Sequence, residues 1–229
     1  MKPYIFVKRT LDFIFSLILL VLVSPIMLGA AIAIKLNSPG PVFFRQIRPG
    51  KNGNIFTVFK FRTMRVETEK DGRRFSDMER MTKTGSFLRK TGIDELLQLF
   101  NILRGEMSFI GPRPLLLQYL DYYTPGQMRR HEVTPGISGW AQVNGRKAII
   151  WEEKFKLDVW YVDLISFWID VKIFFITVWN VLNRKRINNS QGDTMPFTRV
   201  SSPGGHNEYK RSAARTKKRT RSHLTNVCS

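Results

Sequence analysis

The chain has 229 residues, enough for one domain with a sizeable core and appendages. Its 37 lysines and arginines exceed its 18 aspartates and glutamates by 19, so we expect anionic partners such as phosphates or acidic lipid. The single cysteine, Cys228, excludes an internal disulfide and gives no indication of a cysteine metal site or a thiol nucleophile.

An uncharged apolar stretch runs from Phe13 to Ile34, and as a helix its 22 residues would measure about 33 Å, enough to cross a bilayer core. Basic residues normally mark the cytoplasmic side of a membrane segment, and here they are present at both ends of the stretch. Ser24 and Pro25 lie near its middle, where proline removes a helical hydrogen bond and serine can satisfy the freed group. We therefore predict a re-entrant helix–break–helix that returns to the same side, with Ser24 and Pro25 as its hinge. The alternative is a single tilted span with a proline kink.

A β-hairpin is predicted directly after this segment. Residues 42–44 and 54–64 are rich in phenylalanine and flank the turn sequence PGKNG at 49–53. Within the second strand, Lys60 and Arg62 are two residues apart and so share one face. That basic face is either half-solvated or directed at a phosphate.

The next predicted element carries two adjacent carboxylates. Apolar residues from Ile93 to Leu103 recur at the spacing of a helix with one buried face. Gly92 or Thr91 takes the N-cap position, so Asp94 and Glu95 fall in the first turn, where free N–H groups and the helix dipole favour ionised carboxylates. Such groups suit a nucleophile or a metal ligand, with Arg89 upstream as a counter-charge for an anionic substrate. The alternative is that the two acids only stabilise the helix.

Arg113 follows this helix and lies between Pro112 and Pro114. Each proline fixes its own φ and restricts the preceding residue, so Arg113 is held in an extended backbone. A guanidinium on a rigid support suits bidentate phosphate binding. The alternative is an ordinary turn with a solvated arginine. A short amphipathic helix is predicted next, at residues 115–123.

A glycine-containing loop is predicted over residues 134–146, and Arg146 ends it. Its three glycines permit a close approach of the backbone to a ligand. Two helices are predicted beyond it, at residues 151–164, which include Asp158, and at 167–182. The second is very apolar but has too short a charge-free part to span a bilayer, so it suits an interfacial helix; a buried core helix is the alternative.

Taken together, these stretches resemble the bacterial sugar transferase family, the monotopic polyprenyl-phosphate phosphoglycosyl transferases, from about Lys8 to Phe197. Two positions depart from the pattern of many relatives, because Gly92 stands where they have serine and Leu97 where they have proline. The matching motifs are Ser24-Pro25, RPG at 48–50, FKFRTM at 59–64, DEL at 94–96, MSFIGPRP at 107–114, PGISGWAQVNGR at 135–146, and Asp158.

The resemblance implies that a sugar-1-phosphate passes from a nucleotide-sugar, usually a UDP-sugar, to polyprenyl (undecaprenyl) phosphate, with release of the nucleoside monophosphate. It implies that Asp94 is the covalent nucleophile and that Mg²⁺ assists, with Asp94 and Glu95 as its ligands. Glu95 either binds Mg²⁺ or manages the proton of the acceptor. A diphosphate accepts an anionic nucleophile only when its charge is screened, so cations are expected around it. The expected substrate-binding residues are Lys60, Arg89, Arg113, Arg146 and Asp158.

The expected architecture is α+β and mostly helical. It comprises a re-entrant membrane anchor at residues 1–38, a catalytic domain at 39–199 with a small β-hairpin, a catalytic helix and interfacial amphipathic helices, and a disordered basic tail at 200–229. The resemblance places the protein at the cytoplasmic face of the bacterial inner membrane, at the first membrane step of glycoconjugate assembly. Its expected partners are the nucleotide-sugar donor, the polyprenyl phosphate acceptor, the lipid bilayer and downstream glycosyltransferases.

The rival hypothesis is a non-catalytic membrane-surface adaptor that binds acidic lipid through the net charge of +19. Nucleic acid is not expected as a partner, because the basic residues are dispersed and no recognition motif is present. An adaptor needs no carboxylate pair, so Asp94 and Glu95 discriminate between the two hypotheses.

Overall fold

The structure is a computed structural model that describes residues 3–70, 72–145 and 150–183. Within these ranges the chain is mostly helical and has three two-stranded sheets, which confirms the predicted α+β, mostly helical class. The predicted basic tail at 200–229 lies outside the described residues.

The described residues form α-helices and short β-strands, with four short 3₁₀ segments between them. In chain order the elements are α1 (Pro3–Asn37), β1 (Phe43–Pro49), β2 (Ile55–Phe61), β3 (Glu69–Lys70), β4 (Arg73–Arg74), α2 (Asp77–Arg80), α3 (Lys83–Thr91), α4 (Gln98–Arg104), β5 (Ser108–Ile110), α5 (Pro125–Met128), β6 (Gly136–Ser138), α6 (Trp140–Asn144), α7 (Trp151–Leu164) and α8 (Phe167–Leu182). The 3₁₀ turns are Lys51–Gly53, Ile93–Glu95, Leu117–Tyr122 and Arg129–His131.

Helix α1 is one continuous helix of 35 residues, whereas we predicted a helix, a break and a second helix. Pro25 has no N–H to donate to the carbonyl oxygen of Val21, and the Ser24 hydroxyl donates to that oxygen at 2.8 Å. The predicted local repair by serine is therefore present, and it satisfies the one acceptor that the proline would leave unpaired. Of the helices described, α1 is the one long and apolar enough to cross a membrane.

One face of α1 packs against the rest of the fold along most of its length. Leu20 and Val23 contact a core cluster that includes Val58 and Ile102, and Ala30 and Ile34 belong to a second cluster further along. The remaining faces expose large apolar side chains, among them Phe6, Phe13, Phe15, Val21, Leu22 and Leu28. The helix is thus both part of the core and an apolar outer surface.

Polar contacts fix the N-terminal end of α1. Asp170 of α8 accepts hydrogen bonds from Tyr4 at 2.6 Å and from Lys8, and the Lys8–Asp170 ion pair is largely buried. Arg9 donates to the carbonyl oxygens of Ile102 and Leu103 in the last turn of α4. The first helix is therefore tied to α8 and to α4.

The predicted β-hairpin is confirmed. Strands β1 and β2 are antiparallel, in a register that runs from Phe43 opposite Phe61 to Pro49 opposite Ile55. The free edge of β2 is covered by Asn101 of α4, whose side chain donates to Thr57 O at 2.7 Å and accepts from Phe59 N at 3.2 Å. This fully buried asparagine sets the position of α4 against the hairpin.

Strands β5 and β6 form a short parallel pair at which backbones meet closely. A β-carbon at Gly136 would overlap the backbone nitrogen of Gly111, and one at Gly139 would overlap the Gly111 carbonyl oxygen. We predicted that the glycines of this loop permit a close approach to a ligand. In the structure Gly136 and Gly139 instead permit a close approach between two segments of the protein itself.

Candidate active site

The turn between α3 and α4 carries the two carboxylates. Gly92 has a φ of +74°, a left-handed conformation that ends α3 and that glycine adopts without strain. Gly92 also caps the following turn, as predicted, but Ile93–Glu95 is a 3₁₀ turn rather than the start of a single long α-helix. This geometry buries Asp94 and leaves Glu95 half-buried.

Glu95 is held between two cations from different parts of the chain. Lys60, near the end of β2, contacts Glu95 Oε1 at 2.8 Å, and Arg113 contacts the same oxygen at 2.5 Å. Burial by itself raises the pKa of Glu95, but the charges of Arg113 and Lys60 outweigh it and lower the pKa to about 2. Glu95 is therefore ionised at any physiological pH, and it brings together two of the predicted substrate-binding cations, Lys60 and Arg113.

Asp94 lies in a different environment from its neighbour. Burial raises the pKa of Asp94 above its usual range, and the charge of Glu95 adds to this, while Lys60, Arg89 and Arg113 oppose it. We expected the helix terminus to favour the ionised form, and the structure reverses that expectation because desolvation dominates. Among the described residues no side chain or backbone group hydrogen-bonds the Asp94 carboxylate.

Arg89 approaches the carboxylates from α3. Its Nε donates to the hydroxyl of Thr63 at 3.0 Å, and its guanidinium is exposed. The start of α3 is fixed against the same residue, since Thr82 N donates to Thr63 O and a β-carbon at Gly85 would overlap that oxygen. The predicted cation Arg89 is thus brought to the site by backbone packing of α3 on the end of β2.

Asp158 does not lie where we predicted. Its carboxylate is buried in an ion pair with Arg130, at 2.7 Å, and both side chains are 2% exposed. A group paired and buried in this way is not available to contact a substrate. Arg130 also donates to the carbonyl oxygen of Arg113 at 2.7 Å, so Asp158 lies behind a site residue rather than in the site.

The remaining predicted residues are Arg146, Ser24 and Pro25. Arg146 lies outside the described residues, and its role stays a prediction. Ser24 and Pro25 are exposed on α1 and take part in no contact with the carboxylate pair.

Arg48 is a site residue that the sequence argument missed. Its side chain is half-buried at the end of β1 and donates to Gln46 Oε1 at 2.6 Å. Burial, and then the nearby charge of Arg113, lower the pKa of Arg48 to about 10, and Glu95 lies close enough to oppose this. The signal was present in the motif RPG at 48–50, in which Arg48 precedes a stiff proline–glycine turn.

The donor set fits Mg²⁺ only in part. Among the described residues no three histidine, cysteine, aspartate or glutamate side chains gather at one point. Mg²⁺ often uses just one or two carboxylates and takes its other ligands from substrate phosphates and water. Asp94 offers free carboxylate oxygens for such an ion, whereas those of Glu95 face Lys60 and Arg113. The residues thus fit an ion that shares its coordination with a bound phosphate.

The arrangement combines one free carboxylate with several cations in a partly buried turn. Lys60, Arg48, Arg89 and Arg113 supply positive charge around Asp94 and Glu95. Cations in this position suit binding of a phosphate ester and stabilisation of charge during phosphoryl transfer. The free carboxylate suits attack on phosphorus.

Comparison with known proteins gives consistent matches. The family model described as bacterial sugar transferase matches residues 3–184. The uncharacterized sugar transferase EpsL of Bacillus subtilis (strain 168) is 53% identical over 175 residues, which are 76% of this chain and 87% of that protein. A UDP-N-acetylgalactosamine-undecaprenyl-phosphate N-acetylgalactosaminephosphotransferase of Aeromonas hydrophila is 45% identical, over 78% of this chain and 44% of that protein. A UDP-glucose:undecaprenyl-phosphate glucose-1-phosphate transferase of Escherichia coli (strain K12) is 42% identical, over 75% and 39% respectively, so the chain spans less than half of each of these two relatives.

Proposed function

Because the chain belongs to the bacterial sugar transferase family, we propose that it transfers a sugar-1-phosphate from a UDP-sugar to undecaprenyl phosphate or another polyprenyl phosphate. The observation that carries this proposal is the free carboxylate of Asp94, set beside Glu95 and among cations from β1, β2, α3 and the segment after β5. The names of the two transferase relatives supply the donor and acceptor classes.

In the first step an oxygen of the Asp94 carboxylate attacks the phosphorus that bears the sugar. A new bond forms between that oxygen and phosphorus, and the bond from phosphorus to the bridging oxygen breaks. The bridging oxygen leaves with its electron pair as part of UMP. Arg48, Arg89 and Arg113 supply positive charge for the phosphate oxygens, which lowers the cost of bringing one anion to another.

In the second step a phosphate oxygen of the polyprenyl phosphate attacks the same phosphorus. The bond from Asp94 to phosphorus breaks, the carboxylate is restored and the product is a polyprenyl diphosphate sugar. A two-step route suits reactants that arrive from different phases, because one site serves each of them in turn. When bound, Mg²⁺ would neutralise charge on the phosphate oxygens, with Asp94 as its first protein ligand.

For Glu95 we propose a role in holding the cations. Its pKa of about 2 makes it a poor proton acceptor near neutral pH, and its oxygens already contact Lys60 and Arg113. Glu95 thereby fixes the distance between two phosphate-binding side chains. In this proposal Glu95 holds the two cations in place and does not transfer a proton.

We place the protein at the cytoplasmic face of the inner membrane, as a re-entrant rather than a spanning protein. The exposed apolar faces of α1 and α8 support contact with a bilayer, and Trp168 and Trp179 of α8 are exposed at positions suited to the headgroup region. There the soluble donor and the lipid acceptor meet. Downstream glycosyltransferases that extend the lipid-linked sugar would consume the product.

The test uses UDP-glucose and UDP-N-acetylgalactosamine labelled on the β-phosphate. Enzyme incubated with donor alone should release UMP once per site and carry the label on Asp94, and undecaprenyl phosphate should remove it. Asp94→Asn should abolish both steps while the protein stays folded, because an amide is a poor nucleophile. Asp121→Asn, an exposed acid elsewhere, is the matched control and should behave as wild type.

Two results would contradict the proposal. Label on a residue other than Asp94, or turnover in Asp94→Asn, would remove the covalent step. Vesicle binding by wild type, with no UMP release from any nucleotide-sugar, would favour the adaptor hypothesis instead.

A further inference from the structure

The ion pair between Arg130 and Asp158 is the most deeply buried one described in the fold. Two nitrogens of the guanidinium, Nε and Nη2, contact the same carboxylate oxygen at 3.1 and 2.7 Å, and each side chain is 2% exposed. A buried pair gains little net stability over well-packed apolar residues, since both charges lose their hydration. A contribution to stability therefore does not explain why an ion pair is buried at this position.

The same guanidinium reaches the backbone of a site residue. Arg130 Nη2, which contacts Asp158, also donates to the Arg113 carbonyl oxygen at 2.7 Å. The rings of Tyr123 and Phe155 lie 5.9 and 5.8 Å from the guanidinium and restrict its plane. Asp158 on α7 thus fixes Arg130, and Arg130 fixes the peptide group that follows the Arg113 side chain.

This hydrogen bond adds to the constraint that the prolines place on the Arg113 backbone. Pro114 limits ψ of Arg113 to the extended range, and the hydrogen bond from Arg130 fixes the direction of the Arg113 carbonyl group within that range. Because Arg130 holds that carbonyl group, the direction in which the Arg113 side chain leaves the backbone is fixed. The guanidinium at the far end of the side chain is held by Glu95.

We propose that Arg130 and Asp158 are positioning residues for Arg113, and that together they orient its guanidinium for the phosphate groups of the substrate. The proposal rests on the proposed function, in which Arg113 binds phosphate. It replaces direct substrate contact by Asp158 with an indirect effect, transmitted through two side chains and one carbonyl group. Preorganised supports of this kind reduce the cost of ordering a binding group.

The experiment compares nucleotide binding with stability in the full chain, reconstituted in lipid nanodiscs. Arg130→Lys keeps a positive charge for Asp158, but a single ammonium lacks the planar fork that reaches both Asp158 and Arg113 O. We expect the Kd for UDP-glucose and for UMP, measured by calorimetry, to rise roughly tenfold in Arg130→Lys and in Asp158→Asn, because a small misplacement of a binding group has effects of that order or larger.

A matched control comes from the other buried ion pair. Lys8→Gln breaks the Lys8–Asp170 pair, which lies between α1 and α8 and makes no contact with Arg113. It should lower Tm while leaving the Kd for UDP-glucose as in wild type. Equal loss of affinity in Lys8→Gln would mean that general destabilisation explains the effect, and would overturn the proposal.

A double-mutant cycle decides whether the effect passes through Arg113. Arg113→Lys removes the guanidinium that is being positioned, so adding Arg130→Lys should then change the Kd by less than twofold, against roughly tenfold in wild type. Independent, additive losses would overturn the positioning role. Failure of wild type to bind either nucleotide would instead refute the proposed function. Should Asp158→Asn not fold, Arg130→Lys carries the test alone.

Discussion

Asp94 and Glu95 are neighbours in sequence with opposite shifts in pKa. The difference comes from partners: Glu95 contacts Lys60 and Arg113, while Asp94 is desolvated beside the charge of Glu95. Two titratable groups driven apart by their surroundings commonly have different chemical roles. Here the permanently charged carboxylate organises cations and the unpaired one remains free to react.

Arg48 should contribute to phosphate binding. Replacing Arg48 by Gln removes a half-buried cation whose hydrogen-bond partner, Gln46, is neutral, so we expect the KM for the UDP-sugar to rise about tenfold, as for loss of one charged hydrogen bond. Steady-state UMP release measures this. Arg45→Gln is the control, because Arg45 lies on the same strand with an exposed side chain over the ring of Phe59. An equal rise in KM for both variants would exclude Arg48 from the site.

His131 should make stability depend on pH. Burial, and then the charge of Arg130, lower its pKa from 6.5 to about 4, so the folded protein keeps it neutral, bonded through Nδ1 to Gly50 O. Between these values the unfolded chain binds more protons, so stability falls as pH decreases, by up to about 1.4 kcal/mol per pH unit. Chemical denaturation between pH 7 and 4 measures the free energy of unfolding, which should decrease less steeply with falling pH in His131→Gln than in wild type. An unchanged slope would contradict the buried neutral state.

At the scale of elements, the site depends on how α3 packs against the end of β2. Gly85, in the first turn of α3, lies against the carbonyl group of Thr63, and the Thr63 hydroxyl holds Arg89 at the other end of that helix. Only two residues, Gly92 and Ile93, separate the end of α3 from Asp94. Any displacement of α3 therefore moves Arg89 and Asp94 together.

Replacing Gly85 by Ala should displace α3, because a β-carbon there overlaps backbone rather than a flexible side chain. We expect a loss of about 1–3 kcal/mol in the free energy of unfolding, typical of overpacking, together with a lower kcat. Gly126→Ala tests the general cost of such a change, since a β-carbon at Gly126 meets only the Thr124 hydroxyl at 3.9 Å. Wild-type stability and kcat in Gly85→Ala would contradict this packing.

The elements also differ in how far sequence predicts them. Helices α7 and α8 have the predicted bounds, because a long run of apolar residues at helical spacing is a strong local signal for a helix. The predicted helix at 115–123 is instead a short 3₁₀ helix at Leu117–Tyr122. Pairings between distant residues, such as Arg130 with Asp158 or Arg48 with the carboxylate pair, have no local signal. Sequence motifs indicated the residues that we propose to be reactive, but not the residues that support them.

At the scale of the whole molecule, α1 is in contact with one folded domain near both of its ends. Lys8 pairs with Asp170, and 26 residues later Ile34 is buried in a cluster with Phe61 and Leu88. A spanning helix would carry one end to the opposite side, away from that domain. Contact at both ends therefore supports the proposed arrangement, in which both ends of the continuous helix lie on the same side of the membrane.

Cysteine labelling in intact cells tests this topology. In a Cys228→Ser background, Pro3→Cys and Pro41→Cys place thiols at exposed positions just inside and just beyond α1. Both should resist a membrane-impermeant maleimide until the cells are permeabilised. Labelling of position 3 alone from outside would establish a single span. Pro25→Leu should increase that labelling, because leucine restores the backbone N–H that proline lacks and so favours a straight crossing.

The contacts of Lys8 and Arg9 also bear on the order of synthesis. Their partners in α4 and α8 lie 93 to 162 residues further along the chain, so α1 leaves the ribosome long before they exist. Until then the one acid of α1, Asp12, is their only carboxylate neighbour in the helix, and moving charged groups into hydrocarbon is costly. The nascent helix should therefore remain shallow while translation continues. Completion of α8 then converts a loosely held segment into an integral part of the fold.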